Sequence, residues 1–132
     1  MIKQIAHVCF SSKDLQKTVA FYKEHFSSEV IHEFRNDKGE LYGVFLSIPP
    51  NARLEFFQSQ EMIASGNQFR HFCLEVDDIN SLAQKFSAKG FKVEIRRGKT
   101  DATLQFWIED PNGIRIEFQQ YDEQSLLQSY SE

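Results

Sequence analysis

A short pattern occurs twice in this chain, and it constrains the fold more than any other feature. The first half reads His7-Val8-Cys9-Phe10, then Asp14-Leu15, Pro49 and Arg53-Leu54-Glu55-Phe56. The second reads His71-Phe72-Cys73-Leu74, then Asp78-Ile79, Pro111 and Arg115-Ile116-Glu117-Phe118. Early members recur 64 residues apart (7 to 71, 9 to 73, 14 to 78), and late members 62 apart (49 to 111, 53 to 115, 55 to 117). The difference amounts to one small loop deletion. Self-similarity of this kind marks one supersecondary unit used twice. It also separates residues of the shared plan from residues peculiar to one half.

Each half parses as strand, helix, then three strands. In the first, Ile5 to Phe10 predicts a strand, and Leu15, Val19, Tyr22 and Phe26 space the apolar face of a helix over 14–26. Strands are expected near 29–35, 41–48 and 53–58, joined by turn residues at Asn36, Asp37, Gly39, Pro49, Pro50 and Asn51. In the second, 69–76 predicts a strand and Asp77 or Asp78 caps a helix carrying Ile79, Leu82, Ala83 and Phe86. Gly90 suits its end. Strands then follow near 91–97, 103–109 and 114–120, the last two joined by Asp110-Pro111-Asn112-Gly113. The fold class is α+β: two tandem βαβββ modules forming a curved mixed sheet around a metal-binding cavity, helices on the outer face. The chain is expected to be a single domain over 1–132, with module 1 at about 5–58, a linker at 59–68, module 2 at about 69–120 and a tail at 121–132. The linker is polar apart from Met62 and Ile63. The tail, with its Leu126-Leu127 pair, is either a short docking helix or a frayed end.

Alternation along the strands tells where the repeated polar residues point. Val8 and Phe10 share one face, His7, Cys9 and Ser11 the other; Leu54 and Phe56 oppose Arg53, Glu55 and Phe57. In the second half Phe72, Leu74 and Val76 oppose His71, Cys73 and Glu75, and Ile116 and Phe118 oppose Arg115, Glu117 and Gln119. The apolar faces must pack on the helices, so the His and Glu residues occupy the opposite face. A single such residue is ordinarily part of a solvated sheet face, but a solvated face does not require the same residue at the same repeat position. His25 and His32 serve as controls. Their counterparts 64 residues on are Lys89 and Arg96, so neither belongs to the shared plan. Two imidazoles and two carboxylates, His7, Glu55, His71 and Glu117, are therefore candidate ligands of a divalent metal.

Bulk properties narrow the function. At 132 residues with thirteen Phe, the chain can fill a core without staples. A formal charge of −4 argues against nucleic-acid binding, since Arg96, Arg97 and Lys99 are its nearest approach to a basic run. No segment approaches the roughly 18 apolar residues of a membrane span, and no signal peptide is evident. Two cysteines make no disulfide framework. A soluble, cytoplasmic protein acting on a small molecule is expected. Cys9 and Cys73, on the ligand face, read as small wall residues, with soft ligand or reactive thiol as the other options.

His7 with Asp14-Leu15 and Phe21-Tyr22, Leu54-Glu55, His71 with Val76-Asp77-Asp78-Ile79, and Asp110-Pro111-Asn112-Gly113 leading into Ile116-Glu117 resemble the vicinal oxygen chelate superfamily. That superfamily includes glyoxalase I, extradiol dioxygenases, and fosfomycin- and bleomycin-resistance proteins. The resemblance spans about residues 5–120 and implies paired modules enclosing a metal, commonly in a homodimer. Family ligands fall on His7, Glu55, His71 and Glu117, a full set most similar to glyoxalase I. It implies Glu117 as the catalytic general base, with Glu55 second. Bacterial glyoxalases that use glutathione resemble one another in an Arg and an Asn where this chain has Ser11 and Ser59, which counts against glutathione. Arg53 and Arg115 could hold an anionic thiol, but exposed strand arginines are the simpler reading.

The donor set favours Ni²⁺ or Zn²⁺ first, with Mn²⁺ and Fe²⁺ as alternatives, over an all-oxygen Mg²⁺ site. Such a site suits a lyase or isomerase in which a substrate with adjacent oxygens passes through an enediolate. Two other readings stand beside it. His7, His71 and Glu117 alone would make the two-His-one-carboxylate set of an Fe²⁺ ring-cleaving dioxygenase. A non-catalytic binding or resistance protein would instead use the many Phe residues and Trp107 to sequester a small molecule.

Overall fold

The helix expected after each first strand forms in both halves, and both begin on the same chemistry. The computed structural model describes residues 1, 4–60 and 69–129. They fall into two compact units, Met1–Asn67 and Gln68–Glu132. Unit 1 runs β1 (Val8–Ser12), α1 (Leu15–Phe26), β2 (Val30–Arg35), β3 (Leu41–Ile48) and β4 (Ala52–Gln58). Unit 2 runs β5 (Phe72–Glu75), α2 (Ile79–Ala88), β6 (Arg96–Arg97), β7 (Leu104–Glu109) and β8 (Arg115–Gln120). Most of the linker, 61–68 with Met62 and Ile63, and the last residues 130–132 lie outside the described residues.

Asp14 accepts from the Lys17 amide at 3.1 Å and Asp78 from the Ser81 amide at 3.0 Å. Each carboxylate satisfies an amide that a helix start otherwise leaves unpaired, worth about 1 kcal/mol. A second partner comes from the last strand of each unit. Gln58 Oε1 accepts from the Leu15 amide at 3.2 Å, and Gln120 Oε1 from the Ile79 amide at 2.8 Å. These two glutamines also stand 62 residues apart, and they tie the helix start to the strand that carries the candidate carboxylate. Gly90, at φ 94°, follows α2 in a left-handed conformation that a side chain would strain.

Each unit forms one four-stranded mixed sheet, ordered β1-β4-β3-β2 and β5-β8-β7-β6. β1 and β4 are parallel, as are β5 and β8, while the other neighbours are antiparallel. Helix α1 packs over β3 and β4, and α2 over β7 and β8. In unit 1 Tyr22 of α1 meets Phe56 at 5.3 Å between ring centroids, and both are fully buried with Val44 and Leu46. In unit 2 Phe86 of α2 lies 5.5 Å from Phe118, which stacks on Phe106 at 4.7 Å. Truncating such a buried ring to alanine costs about 3–5 kcal/mol.

Three strands are shorter than the pattern predicts. β1 begins at Val8 rather than Ile5, and β5 at Phe72 rather than Phe69, so His7 and His71 each stand one residue before their strand. Only Arg96 and Arg97 of the expected 91–97 strand pair with β7. The Phe91 amide bonds instead to the Phe86 carbonyl at 3.1 Å, and its ring meets Phe86 at 5.2 Å. That holds the start of the segment to the helix end. The described tail forms turns, not a helix. It is pinned where Arg97 makes a two-nitrogen contact with Asp122 at 2.9 and 3.0 Å, and where the Leu126 amide reaches the Asp101 carbonyl at 2.7 Å. Leu126 and Leu127 remain exposed.

Candidate metal centre

Glu55 and Glu117 lie in the middle of β4 and β8, on the face turned from the helices, as alternation requires. Their neighbours across the sheet are equivalent. Glu55 pairs with Cys9 on one side and Phe45 on the other, and Glu117 with Cys73 and Trp107. The histidine before each first strand reaches over to its own glutamate. His7 Nε2 lies 3.6 Å from Glu55 Oε1, and His71 Nε2 lies 3.3 Å from Glu117 Oε1. The carboxylates are largely enclosed, at 13% and 7% side-chain exposure, while the imidazoles stay open at 40% and 35%.

That spacing fits the donor chemistry. Ligands bound at about 2.0–2.2 Å from one ion sit roughly 3.0–3.5 Å apart when adjacent. The His71–Glu117 pair falls within that span, and the His7–Glu55 pair lies just beyond it. Among the described residues, no group of three or more His, Cys, Asp and Glu gathers around one point. The four predicted ligands thus stand as two pairs, one in each unit.

An aromatic ring props each imidazole edge to face: Phe45 against His7 at 5.0 Å, Trp107 against His71 at 4.6 Å. The two rings stand at equivalent register positions, but their residue types differ, so the repeated motif does not reveal them. Arg115 lies over the Trp107 ring at 4.3 Å, a cation–π contact that gives this strand arginine a role beyond exposure. Gln119 was also unassigned. Its Nε2 donates to Glu117 Oε2 at 3.1 Å with both residues buried, leaving Oε1 facing His71. The signal for Gln119 was its place two residues after Glu117 on the same face. At the matching position after Glu55 stands Phe57, which has no donor to offer.

The two cysteines flank the carboxylates across the sheets, Cys9 beside Glu55 and Cys73 beside Glu117. Partial burial, then the hydrogen bond to Glu55 and its charge, pushes the Cys9 thiol up to about 11. Burial, the charge and hydrogen bond of Glu117, and the charges of Asp101 and Glu75 push Cys73 to about 12. Both shifts run against thiolate formation, and the neighbouring carboxylates contribute to each. His25 packs against Phe21 at 4.8 Å, away from either pair. Arg53 is exposed beside Glu55. Two open recesses, of about 510 and 350 Å³, flank Trp107 with polar walls that include Lys92, Glu94, Arg96, Gln105 and Arg115.

The family model of the Glyoxalase/Bleomycin resistance protein/Dioxygenase superfamily matches residues 4–118. The chain belongs to that superfamily, the class its paired modules and His–Glu pairs define. A protein of Synechocystis named "Probable lactoylglutathione lyase" is 29% identical over 120 residues, covering 86% of this chain and 92% of its own. An Arabidopsis thaliana protein named "Probable lactoylglutathione lyase, chloroplastic" is 26% identical over 122 residues, and the chain spans only 35% of its length. The crystal structure of a glyoxalase family protein from Enterococcus faecalis shares the fold, with a TM-score of 0.74 at 24% identity over 89% of this chain and 97% of that one. No helix among the described residues is long and apolar enough to cross a membrane.

Proposed function

We propose that the protein is a metal-dependent lyase or isomerase of glyoxalase type, acting on a small substrate with adjacent oxygens such as a 2-oxoaldehyde–thiol adduct. The observation that carries this reading is the repeated pair: His Nε2 and Glu Oε1 at 3.6 and 3.3 Å, on equivalent positions of two sheets. A solvated sheet face has no reason to build that pair twice. His7, Glu55, His71 and Glu117 would hold one divalent ion, Ni²⁺ or Zn²⁺ before Mn²⁺ or Fe²⁺. Each module would supply one His–Glu pair, and a homodimer is the assembly that goes with this reading. The names of the relatives support the lyase chemistry. Glutathione is disfavoured as the thiol, because Ser11 and Ser59 offer neither the arginine nor the amide that glutathione-using bacterial members share.

When bound, the metal supplies positive charge that stabilises oxyanion character developing on the substrate. The chain's own residues do the rest. Glu117 accepts the proton from the carbon beside the oxygens, a step typically worth ~10²- to 10⁴-fold, and Glu55 is the second candidate. Gln119 holds one Glu117 oxygen and so aims the other. Phe45 and Trp107 keep the imidazole planes fixed. The enclosing of both carboxylates limits their competition with water.

Metal content of the purified protein by elemental mass spectrometry tests this reading, alongside His7→Ala and Glu117→Gln. Near-stoichiometric nickel or zinc, lost in His7→Ala and with proton-transfer activity lost in a folded Glu117→Gln, is expected. Iron with oxygen consumption on a catechol would replace the lyase by the dioxygenase. No metal after reconstitution would refute the ligand set.

A further inference from the structure

Two copies of one module allow each sheet to serve as a control for the other. Ligands, propping ring, cysteine and strand arginine match between the units; the outer half of the same face does not. In unit 1 that area carries His32 and Phe34 on β2, Gly43 on β3 and Phe57 on β4. In unit 2 the register equivalents of Phe34, Gly43 and Phe57 are Arg96 on β6, Gln105 on β7 and Gln119 on β8. An aromatic surface therefore replaces a polar one at positions where the fold accepts either.

The aromatic surface is built as a platform. Phe34 and Phe57 lie 5.1 Å apart, Phe34 and Phe45 5.7 Å, and Tyr42 stacks beside Phe57 at 6.1 Å and 17°. Gly43 supplies the floor. A Cβ there would stand 2.5 Å from the Phe57 ring and 3.1 Å from Phe34, so only a bare backbone lets both rings lie down over β3. Phe34, Phe45 and Phe57 are half-buried, leaving ring surface open. Phe45 connects the platform to the candidate centre, since it touches His7 and pairs with Glu55.

We infer that this platform is a subsite of unit 1 for a planar aromatic substituent on the vicinal-oxygen substrate. It rests on the reading of His7 and Glu55 as metal ligands, and it narrows the substrate to compounds whose adjacent oxygens carry an aryl group. Offset and edge-to-face contacts with three rings favour a flat π-system over an alkyl chain of similar area.

The test uses the metal-loaded full chain and two probes, benzohydroxamate and acetohydroxamate, titrated calorimetrically. Both present the same adjacent oxygens, and they differ only in phenyl against methyl. Benzohydroxamate is expected to bind about tenfold or more tightly than acetohydroxamate, beyond any difference the two show for the free ion. Phe57→Leu should cut that preference several-fold and leave acetohydroxamate affinity unchanged. Phe34→Leu takes its place if the first variant does not fold. Equal binding of both probes, or a phenyl preference untouched in the folded Phe variants, would overturn the subsite while leaving the metal reading intact. Failure to take up metal, or metal-loaded protein that binds neither probe, would overturn both.

Discussion

Gly43→Ala offers a test of the aromatic platform that is independent of any ligand. Gly43 has no left-handed backbone, so alanine is conformationally allowed, and restricting the unfolded chain alone would stabilise the protein by about 0.4–1 kcal/mol. Against this stands the new methyl, 2.5 Å from Phe57 Cδ1 and 2.7 Å from Cε1. The Phe57 ring must move, because the methyl is fixed to the strand. Displacing it costs roughly 0.5–1.5 kcal/mol in rotamer strain. Its contacts with Phe34 and Tyr42 are worth about 0.5–1.5 kcal/mol each, and at least one is lost. The net expectation is destabilisation of about 1 kcal/mol, read as a fall of roughly 3–5 °C in thermal midpoint. The double variant with Phe57→Leu completes a cycle. With the ring gone, Gly43→Ala should cost nothing or stabilise. If Gly43→Ala stabilises the wild-type background, or costs the same in both backgrounds, the ring does not rest on Gly43 and the platform is misread.

Two further outcomes follow from the same contacts. Gln119→Leu removes the only amide donor shown on Glu117 among the described residues, and partners of ligating carboxylates typically contribute 10- to 100-fold to affinity. Chelator competition should show a loss of about that size with the fold retained, and unchanged affinity would remove Gln119 from the site. The tail contact is acid-sensitive: the hydrogen bond from Arg97 chiefly, aided by the Gln124 amide and the Ser125 hydroxyl, lowers the Asp122 carboxyl from 3.8 to about 2. A depressed carboxyl contributes stability above its unfolded value and loses it as pH falls through the folded one. The protection of the Leu126 amide, its exchange rate compared with the intrinsic rate at each pH, should therefore fall between about pH 4 and pH 2, and Asp122→Asn should abolish that dependence.

The repeat carried most of what the sequence could tell. Helix starts at Asp14 and Asp78, the turn at Asp110–Gly113 and the facing of Glu55 and Glu117 follow from local chemistry and strict alternation, and the structure has them so. The strand over 91–97 did not follow, because pairing at a sheet edge competes with the Phe91–Phe86 contact, which no local pattern reveals. The aromatic platform was hidden for a sharper reason. β2 shifts register between Val30 and His32, where a bulge turns the chain over. Plain alternation from Val30 would set His32 and Phe34 on the core side, and a single extra residue moves both to the ligand face.

That shift bears on how a duplicated fold acquires specificity. Two copies of one module supply a nearly symmetric ligand set, which suits an ion. A substrate is not symmetric, so discrimination must reside where the copies differ. On the face of Glu55 and Glu117 the differences concentrate at three register positions: Phe34 against Arg96, Gly43 against Gln105, and Phe57 against Gln119. Each exchanges ring or bare backbone for a hydrogen-bonding group. The Phe57–Gln119 exchange adds a second consequence, since Gln119 restrains Glu117 while Phe57 gives Glu55 no such bond. One substitution between copies thus gives unit 1 an aromatic wall and unit 2 a held carboxylate. On the proposed reading, substrate selection would fall to unit 1 and carboxylate positioning to unit 2.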